Sequence, residues 1–227
     1  MTGRYSRYAI YWIPEPGSAL AVFGESWFAQ AAQMTGLAPE FAARAVAAPA
    51  RYGLHATLKA PFPMRRDMSA EALQHALDAF CATRRAPLGG AFKPAFFQGF
   101  FGLVLSANTA DVDWLAAQCV THFDAFRDRA GTSGVPPDGP LSPLEQAFEA
   151  EFGYPYILSI FQFHVTLAGP LPQTGLEEAA VALAPHLEPF QRAPVQIGGL
   201  TLLGERSDSR LFEPLSRHPF RWVSAMP

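Results

Sequence analysis

The sequence has little cysteine and no long apolar run. Its two cysteines, Cys81 and Cys119, do not form a C-x-x-C pair, so neither a disulfide scaffold nor a structural zinc site is expected. No apolar run approaches the roughly 18 residues that a membrane-spanning helix needs. The N-terminal residues lack the apolar core and the cleavage site of a signal peptide. We therefore expect a cytoplasmic protein without a membrane partner.

Lysine is also scarce, and basic charge does not dominate the chain. Only 2 of the 17 basic residues are lysines, and the formal net charge is −3. This balance excludes a protein that binds nucleic acids through bulk positive charge, but it leaves room for a local basic groove. Two glycine pairs, Gly89–Gly90 and Gly198–Gly199, lack the spacing of a phosphate-binding loop and are interpreted as turns or bulges.

Apolar residues are plentiful enough for a sizeable core. The chain has 227 residues, of which 49% are hydrophobic, and this excludes a disordered protein. The length predicts a single domain over residues 1–227, built as one unit or as two tightly fused lobes. A proline- and glycine-rich stretch over residues 131–143 is interpreted as a lid or as a connector between lobes.

Strand-like and helix-like segments alternate along the chain. Strands are predicted over Tyr8–Ile13, Leu54–Ala60, Phe92–Gln98, Gly102–Ala107, Tyr156–Leu167, Val195–Leu203 and Leu211–Leu215. Helices are predicted over Ser18–Gln33, Ser69–Arg84, Asp111–Arg129, Pro143–Phe152 and Leu176–Leu187. Short links and hairpin-like pairs in each half favour an α+β fold with antiparallel sheets.

One internal repeat carries recognisable chemistry. The pattern H-x-T-L-x-x-P begins at His55 and again at His164. Residues i and i+2 of a strand share a face, about 7 Å apart, so each histidine points the same way as Thr57 or Thr166. If the two strands meet, a neutral imidazole can take a proton from water while a protonated one supplies a proton to a leaving oxygen. The hydroxyls can donate hydrogen bonds to a phosphate.

The paired motif resembles that of the two-histidine (2H) phosphoesterase superfamily, which includes RNA 2′,3′-cyclic phosphodiesterases, RNA ligase-like proteins and cyclic-nucleotide phosphodiesterases. The longer strings Arg51–Phe62 and Phe161–Leu167, with Arg7–Tyr11 and Gly153–Tyr156, are similar to one branch of it. That branch consists of uncharacterised proteins encoded beside phosphonate-utilisation genes. The resemblance covers nearly the whole chain.

The resemblance implies a bilobal α+β fold, with two small antiparallel sheets and flanking helices around a central cleft. It implies hydrolysis of a small cyclic phosphodiester, without a metal ion or another cofactor. His55 and His164 match the catalytic histidines, and Thr57 and Thr166 match the phosphate-binding hydroxyls. The motif does not say which histidine is the acid and which is the base.

Further substrate-binding candidates come from the residues alone. Strand alternation would place Arg51 and Lys59 on the same face as His55, and Gln162 beside the second histidine. Three aromatic side chains are candidates for stacking on a base or sugar: Tyr11, Tyr154 and Tyr156.

Three alternatives to a metabolic cyclic phosphodiesterase stay open. An RNA-end 2′,3′-cyclic phosphodiesterase would need a basic and aromatic track, which the charge of −3 disfavours. A non-catalytic module could use the same cleft to bind a phosphate or nucleotide ligand. Metal-dependent hydrolysis would need a carboxylate cluster beside the histidines, which the sequence does not offer. A small phosphate ester is therefore the expected partner, and the oligomeric state stays open.

Overall fold

The computed structural model describes residues 4–97, 99–131, 134 and 139–221. The strands in this part of the chain are β1 (Tyr5–Trp12), β2 (Ala56–Phe62), β3 (Phe92–Phe97), β4 (Phe100–Leu105), β5 (His164–Ala168), β6 (Gly199–Arg206) and β7 (Phe212–Pro219). The helices are α1 (Ala19–Thr35), α2 (Pro39–Val46), α3 (Ala70–Ala82), α4 (Ala110–Phe123), α5 (Pro143–Phe152) and α6 (Gln173–Leu187). None of these helices is both long enough and apolar enough to cross a membrane.

The described strands form two antiparallel sheets. One sheet has the order β2-β1-β6-β7 and the other the order β3-β4-β5. Strands β2 and β5, which carry the two copies of the repeat, are therefore edge strands of different sheets, and they contact each other. The predicted α+β class with two small antiparallel sheets is confirmed.

The hydrophobic core runs through both sheets. Ile10 and Leu58 of the first sheet belong to the same buried cluster as Leu103 and Leu167 of the second. Trp27 of α1 is fully buried in this cluster, and its indole Nε1 donates a hydrogen bond of 2.8 Å to the carbonyl of Leu167. Since a buried indole N–H needs a partner, this bond holds α1 against the strand that carries His164.

Helix α5 has capping residues at both ends but no buried face. Ser142 and Glu145 form a capping box at its start, with the Ser142 side chain accepting from the Glu145 amide. Gly153 ends the helix at a φ of 77°, a left-handed conformation that glycine adopts without strain. None of the residues of α5 is buried.

Two predicted elements are shorter in the structure. The prediction of a continuous strand over Tyr156–Leu167 is wrong for its first part, because the chain makes a 3-10 turn at Leu158–Ile160 and pairs only from His164. Leu158 has a φ of 54°, which breaks an extended strand. The predicted helix Asp111–Arg129 ends as α4 at Phe123 and passes into a 3-10 turn.

Other boundaries also differ from the predictions. Helix α2 was not predicted, although Pro39 at its first position favours a helix start. The strand predicted from Val195 begins at Gly199 as β6, and β7 extends beyond the predicted Leu215 to Pro219. Of the predicted loop at 131–143, residues 132–133 and 135–138 lie outside the described residues, as does Gln98 at the end of a predicted strand.

Candidate active site

A cleft of about 490 Å³ opens between β2 and β5. Residues from both sheets and from the segment after α5 line it. Nine of the ten predicted site residues lie on its surface: Tyr11, Arg51, His55, Thr57, Tyr154, Tyr156, Gln162, His164 and Thr166. The structure thus brings both copies of the repeat to one cavity, a meeting that strand geometry alone left open.

Both histidines are held by the same local hydrogen bond. Nδ1 of His55 lies 2.8 Å from the carbonyl oxygen of Gly53, and Nδ1 of His164 lies 2.8 Å from that of Gln162. A carbonyl oxygen can only accept, so Nδ1 carries the hydrogen in each ring. In the neutral tautomer the lone pair is then on Nε2, the nitrogen that can exchange a proton with a ligand.

Aromatic rings enclose His55. The Tyr11 ring is stacked on it, with centroids 4.2 Å apart and planes 19° apart, and the Tyr52 centroid lies 5.6 Å away. Burial and, to a smaller extent, the charge of His164 lower the pKa of His55 to about 4, although the hydrogen bond to the Gly53 carbonyl opposes this shift.

His164 has a more open environment. Its ring meets that of Phe97 at a centroid distance of 4.8 Å and an angle of 59°. Burial lowers its pKa below the ordinary value for histidine, while the hydrogen bond to the Gln162 carbonyl opposes this shift. A bound phosphate anion would favour the protonated imidazole and raise both pKa values again.

Tyr11 supports the site from beneath rather than offering a stacking surface. Only 2% of its surface is exposed, and His55 occupies one face of its ring. Its position follows from strand pairing, because Tyr11 of β1 lies opposite Thr57 of β2 and the two side chains are hydrogen-bonded. The expectation that Tyr11 stacks on a base or sugar is therefore corrected.

Lys59 is the predicted site residue that the structure places elsewhere. Its Nζ is buried on the α4 side, 3.2 Å from the carbonyl of Val120 and 3.4 Å from Oδ1 of Asp124. The register of β1 and β2 shifts near Ile10, so simple alternation fails along β2 and Ala60, not Lys59, lines the cleft. Burial lowers the pKa of Lys59 to about 8, although Asp124 opposes that shift.

The remaining candidates occupy the rim and the outer wall. Arg51 is exposed, donates from Nη2 to the carbonyl of Arg210 at 3.4 Å, and is the only cationic side chain among the described residues that line the cleft. The rings of Tyr154 and Tyr156 meet edge to face, 5.5 Å apart. Gln162 is exposed, and its clearest role is the backbone carbonyl that holds His164.

Sequence reasoning missed several lining residues. Tyr52 and Phe97 contact the two histidines, and Phe100 and Phe161 complete the apolar wall. Tyr52 lies inside the string Arg51–Phe62, so its place beside the motif was a usable signal. Nothing in the sequence indicated Phe97, because it lies on β3 and reaches His164 only through the pairing of β3 with β4 and of β4 with β5.

No group of three or more histidine, cysteine, aspartate or glutamate side chains is placed to hold a metal ion within the described part of the chain. The buried carboxylate of Asp124, which lies behind one wall of the cleft, is already bonded to Lys59 and Arg127.

Residues 57–213 match a family model described as "Protein of unknown function (DUF1045)". Two curated relatives are both named "Ribose 1,5-bisphosphate phosphokinase PhnN". The protein from Janthinobacterium sp. (strain Marseille) is 28% identical over 239 residues, covering 95% of this chain and 51% of the relative. The protein from Laribacter hongkongensis (strain HLHK9) is 32% identical over 206 residues, covering 88% and 48%. The chain thus spans about half the length of the curated relatives it matches.

Three solved structures are similar over most of the chain. A "phosphoesterase" crystal structure has a TM-score of 0.47 and 16% identity, covering 96% of this chain and 99% of its own. E. coli LigT complexed with NADP+ has a TM-score of 0.49 and 16% identity, covering 97% and 100%. Kluyveromyces marxianus Usb1 has a TM-score of 0.40 and 11% identity, covering 93% and 99%. These TM-scores lie below 0.5, so the likeness adds no support of its own.

Proposed function

Because the chain belongs to the DUF1045 family, within the 2H phosphoesterase superfamily, we propose that it hydrolyses a small cyclic phosphodiester without a metal ion. The observation that carries the proposal is the matched pair of imidazoles in one cleft. Each has Nδ1 bonded to a carbonyl at 2.8 Å, so that Nε2 is the nitrogen available for proton transfer.

In this mechanism the two histidines divide the proton transfers. Neutral His55 takes a proton from water, and the water oxygen attacks the phosphorus. The bond from phosphorus to one ring oxygen breaks, and protonated His164 supplies the proton to that oxygen. A pKa lowered to about 4 keeps His55 neutral and so suits the base, and the less enclosed His164 suits the acid. Thr57 and Thr166 donate hydrogen bonds to the phosphoryl oxygens.

The names of the curated relatives suggest a ribose phosphate as substrate. Ribose 5-phosphate that also carries a 1,2-cyclic phosphate would give ribose 1,5-bisphosphate on cleavage of the bond between phosphorus and O2. That product is the compound in the relatives' names, and such a reaction fits phosphonate metabolism. Arg51 at the rim is suited to bind the remote 5-phosphate.

We do not assign the relatives' phosphokinase activity to this chain. The lysine of a nucleotide-binding G-x-x-x-x-G-K loop follows a glycine. Neither of the two lysines here, Lys59 and Lys93, does so.

The test is hydrolysis of a panel of cyclic phosphates in the presence of a chelator. The panel contains ribose 1,2-cyclic phosphate with and without a 5-phosphate, nucleoside 2′,3′-cyclic phosphates, and an RNA ending in a 2′,3′-cyclic phosphate. Turnover should survive the chelator, and His55→Ala or His164→Ala should each reduce it by at least about a hundredfold. Ligand binding without turnover, unaffected by either substitution, would instead identify a binding module.

The aromatic wall favours a second candidate, an RNA-end 2′,3′-cyclic phosphodiesterase. Phe97, Tyr154, Tyr156 and Phe161 surround the cleft with rings on which a base could stack. For this candidate the RNA should be the best substrate of the panel. Its KM should also rise steeply with salt, because contacts to several phosphates release counterions.

A further inference from the structure

A buried ionic cluster lies behind one wall of the cleft. Lys59, Asp124 and Arg127 have 3%, 6% and 3% of their surface exposed. The Asp124 carboxylate accepts from Lys59 Nζ at 3.4 Å and from Arg127 Nε at 2.7 Å. Burying charges costs free energy that well-packed apolar side chains would not require, so stability alone does not explain the cluster.

Arg127 also contacts the start of the outer wall, which we call the wall segment (residues 153–162). Its Nη2 donates to the carbonyl of Glu151 at 2.5 Å, at the end of α5. A Cβ at Gly153 would lie 3.1 Å from Nη1 of Arg127, so the guanidinium packs directly against the first residue of the wall segment.

Only one layer of residues separates the cluster from the cleft. A small cavity of about 10 Å³ beside the cluster is lined by Lys59 and Arg127. Four of its lining residues also line the cleft: Ala60, Pro61, Tyr154 and Ile157. A shift of Arg127 would therefore move groups that face the substrate.

We propose that Arg127 is a positioning residue for substrate binding. Held by Asp124, whose carboxylate also accepts from Lys59, it sets where the wall segment begins and so places Tyr154 and Tyr156 relative to the two histidines. Helix α5 has no buried residue, and the wall segment is next anchored at the buried Ile157, so the contact of Arg127 with the Glu151 carbonyl fixes the start of this segment. The inference rests on the cyclic phosphodiesterase function proposed above.

The first variant is Arg127→Lys, which keeps the charge but loses the planar fork that reaches both Asp124 and the Glu151 carbonyl. The matched control is Arg129→Met. Arg129 is exposed, and its guanidinium lies 3.4 Å from both Asp124 and the Glu151 carboxylate. Arg127→Lys should raise KM for the best cyclic phosphate about tenfold with kcat within about threefold, whereas Arg129→Met should change neither by more than about twofold.

Hydrogen exchange of the substrate-free protein gives a readout that does not need turnover. Amides of the wall segment should exchange faster in Arg127→Lys than in wild type or Arg129→Met. Unchanged exchange together with an unchanged KM would overturn the positioning role. If wild type hydrolyses no cyclic phosphate, the proposed function fails, and the exchange rates still decide whether Arg127 holds the wall.

Two more variants separate position from charge and guard against misfolding. Lys59→Met removes a buried charge but leaves the contacts of Arg127 with Asp124 and Glu151. A larger rise in KM for Lys59→Met than for Arg127→Lys would show that the cluster acts through charge, and would overturn the proposal. If Arg127→Lys does not fold, Gly153→Ala displaces the start of the wall segment instead, because its methyl group would lie 3.1 Å from Arg127 Nη1 and an alanine is strained at the φ of 77°. It should raise KM in the same direction, and an unchanged KM would contradict the proposal.

Discussion

The two halves of the cleft carry the same motif in different surroundings. His55 precedes β2 of the four-stranded sheet, and His164 begins β5 of the three-stranded sheet. Each donates from Nδ1 to the carbonyl two residues earlier, at 2.8 Å in both cases. The repeated sequence thus produces the same local geometry twice, because the bond joins near neighbours in the chain.

The neighbours of the two rings differ. A stacked Tyr11 and a nearby Tyr52 enclose His55, whereas His164 meets the tilted ring of Phe97. The pKa of both is lowered by burial, and that of His55 falls to about 4. Identical motifs can therefore acquire different surroundings from elements that the motif does not include, and two histidines that act as base and acid need such a difference.

The largest expected effect comes from removing each imidazole in turn. With a natural cyclic phosphate, both His55→Ala and His164→Ala should lose at least about a hundredfold in kcat. With an activated ester that has a p-nitrophenolate leaving group, His164→Ala should lose less than about tenfold, because such a leaving group needs no proton. His55→Ala should remain impaired on both substrates, and the opposite pattern would exchange the two roles.

The pH dependence of kcat/KM should show the protonation state that each histidine requires. Neutral His55 is required and its pKa is about 4, so kcat/KM should rise with pH through that region. Protonated His164 is required and its pKa lies below the ordinary 6.5, so kcat/KM should decrease again as the pH rises through that pKa, starting from a pH below 6.5. At pH values well above the pKa of His164, kcat/KM should decrease by about tenfold per pH unit. A profile that is flat from pH 4 to 8 would contradict the assignment.

Substituting the aromatic rings beside the two histidines, Tyr11 and Phe97, tests the comparison of their surroundings and should have a smaller effect. Tyr11→Leu removes the ring that holds His55 and should lower kcat/KM about tenfold, since small displacements of a catalytic group are costly. Phe97→Leu beside His164 should lower it less than about threefold. Tyr11→Phe keeps the ring and serves as the control. Equal losses of kcat/KM for Tyr11→Leu and Phe97→Leu would mean that His55 and His164 depend equally on their neighbouring rings.

The smallest effect is expected at the rim. Arg51→Met should raise KM about fivefold for a ribose 1,2-cyclic phosphate that carries a 5-phosphate, because one exposed charge-assisted contact is lost. The substrate without the 5-phosphate should show no change. An equal rise for both substrates would place Arg51 near the reacting phosphate instead.

The backbone of the outer wall of the cleft was not predictable from sequence periodicity. Tyr154 and Tyr156 were predicted as site residues and do line the cleft, but the strand predicted from Tyr156 is absent until His164. The end of α5, which leads into this wall, is bonded through the Glu151 carbonyl to Arg127, which lies 24 residues earlier in the sequence. Periodicity within a segment cannot report such a bond.

The sequence by itself determined the α+β class, the paired motif, and the placing of His55 with Thr57 and His164 with Thr166 on shared strand faces. These features depend on the alternation of side chains along a strand and on bonds between residues that are close in sequence, so the local sequence determines them.

Only the tertiary structure decided which groups surround the motif. The register shift between β1 and β2 turns Lys59 away from the cleft, and the same strand pairing places Tyr11 beneath His55. The pairing of β3 with β4 and of β4 with β5 brings Phe97 to His164. Packing between distant segments sets burial, and burial lowers the pKa of both histidines, so these shifts and the different surroundings of the two rings arise only in the folded chain.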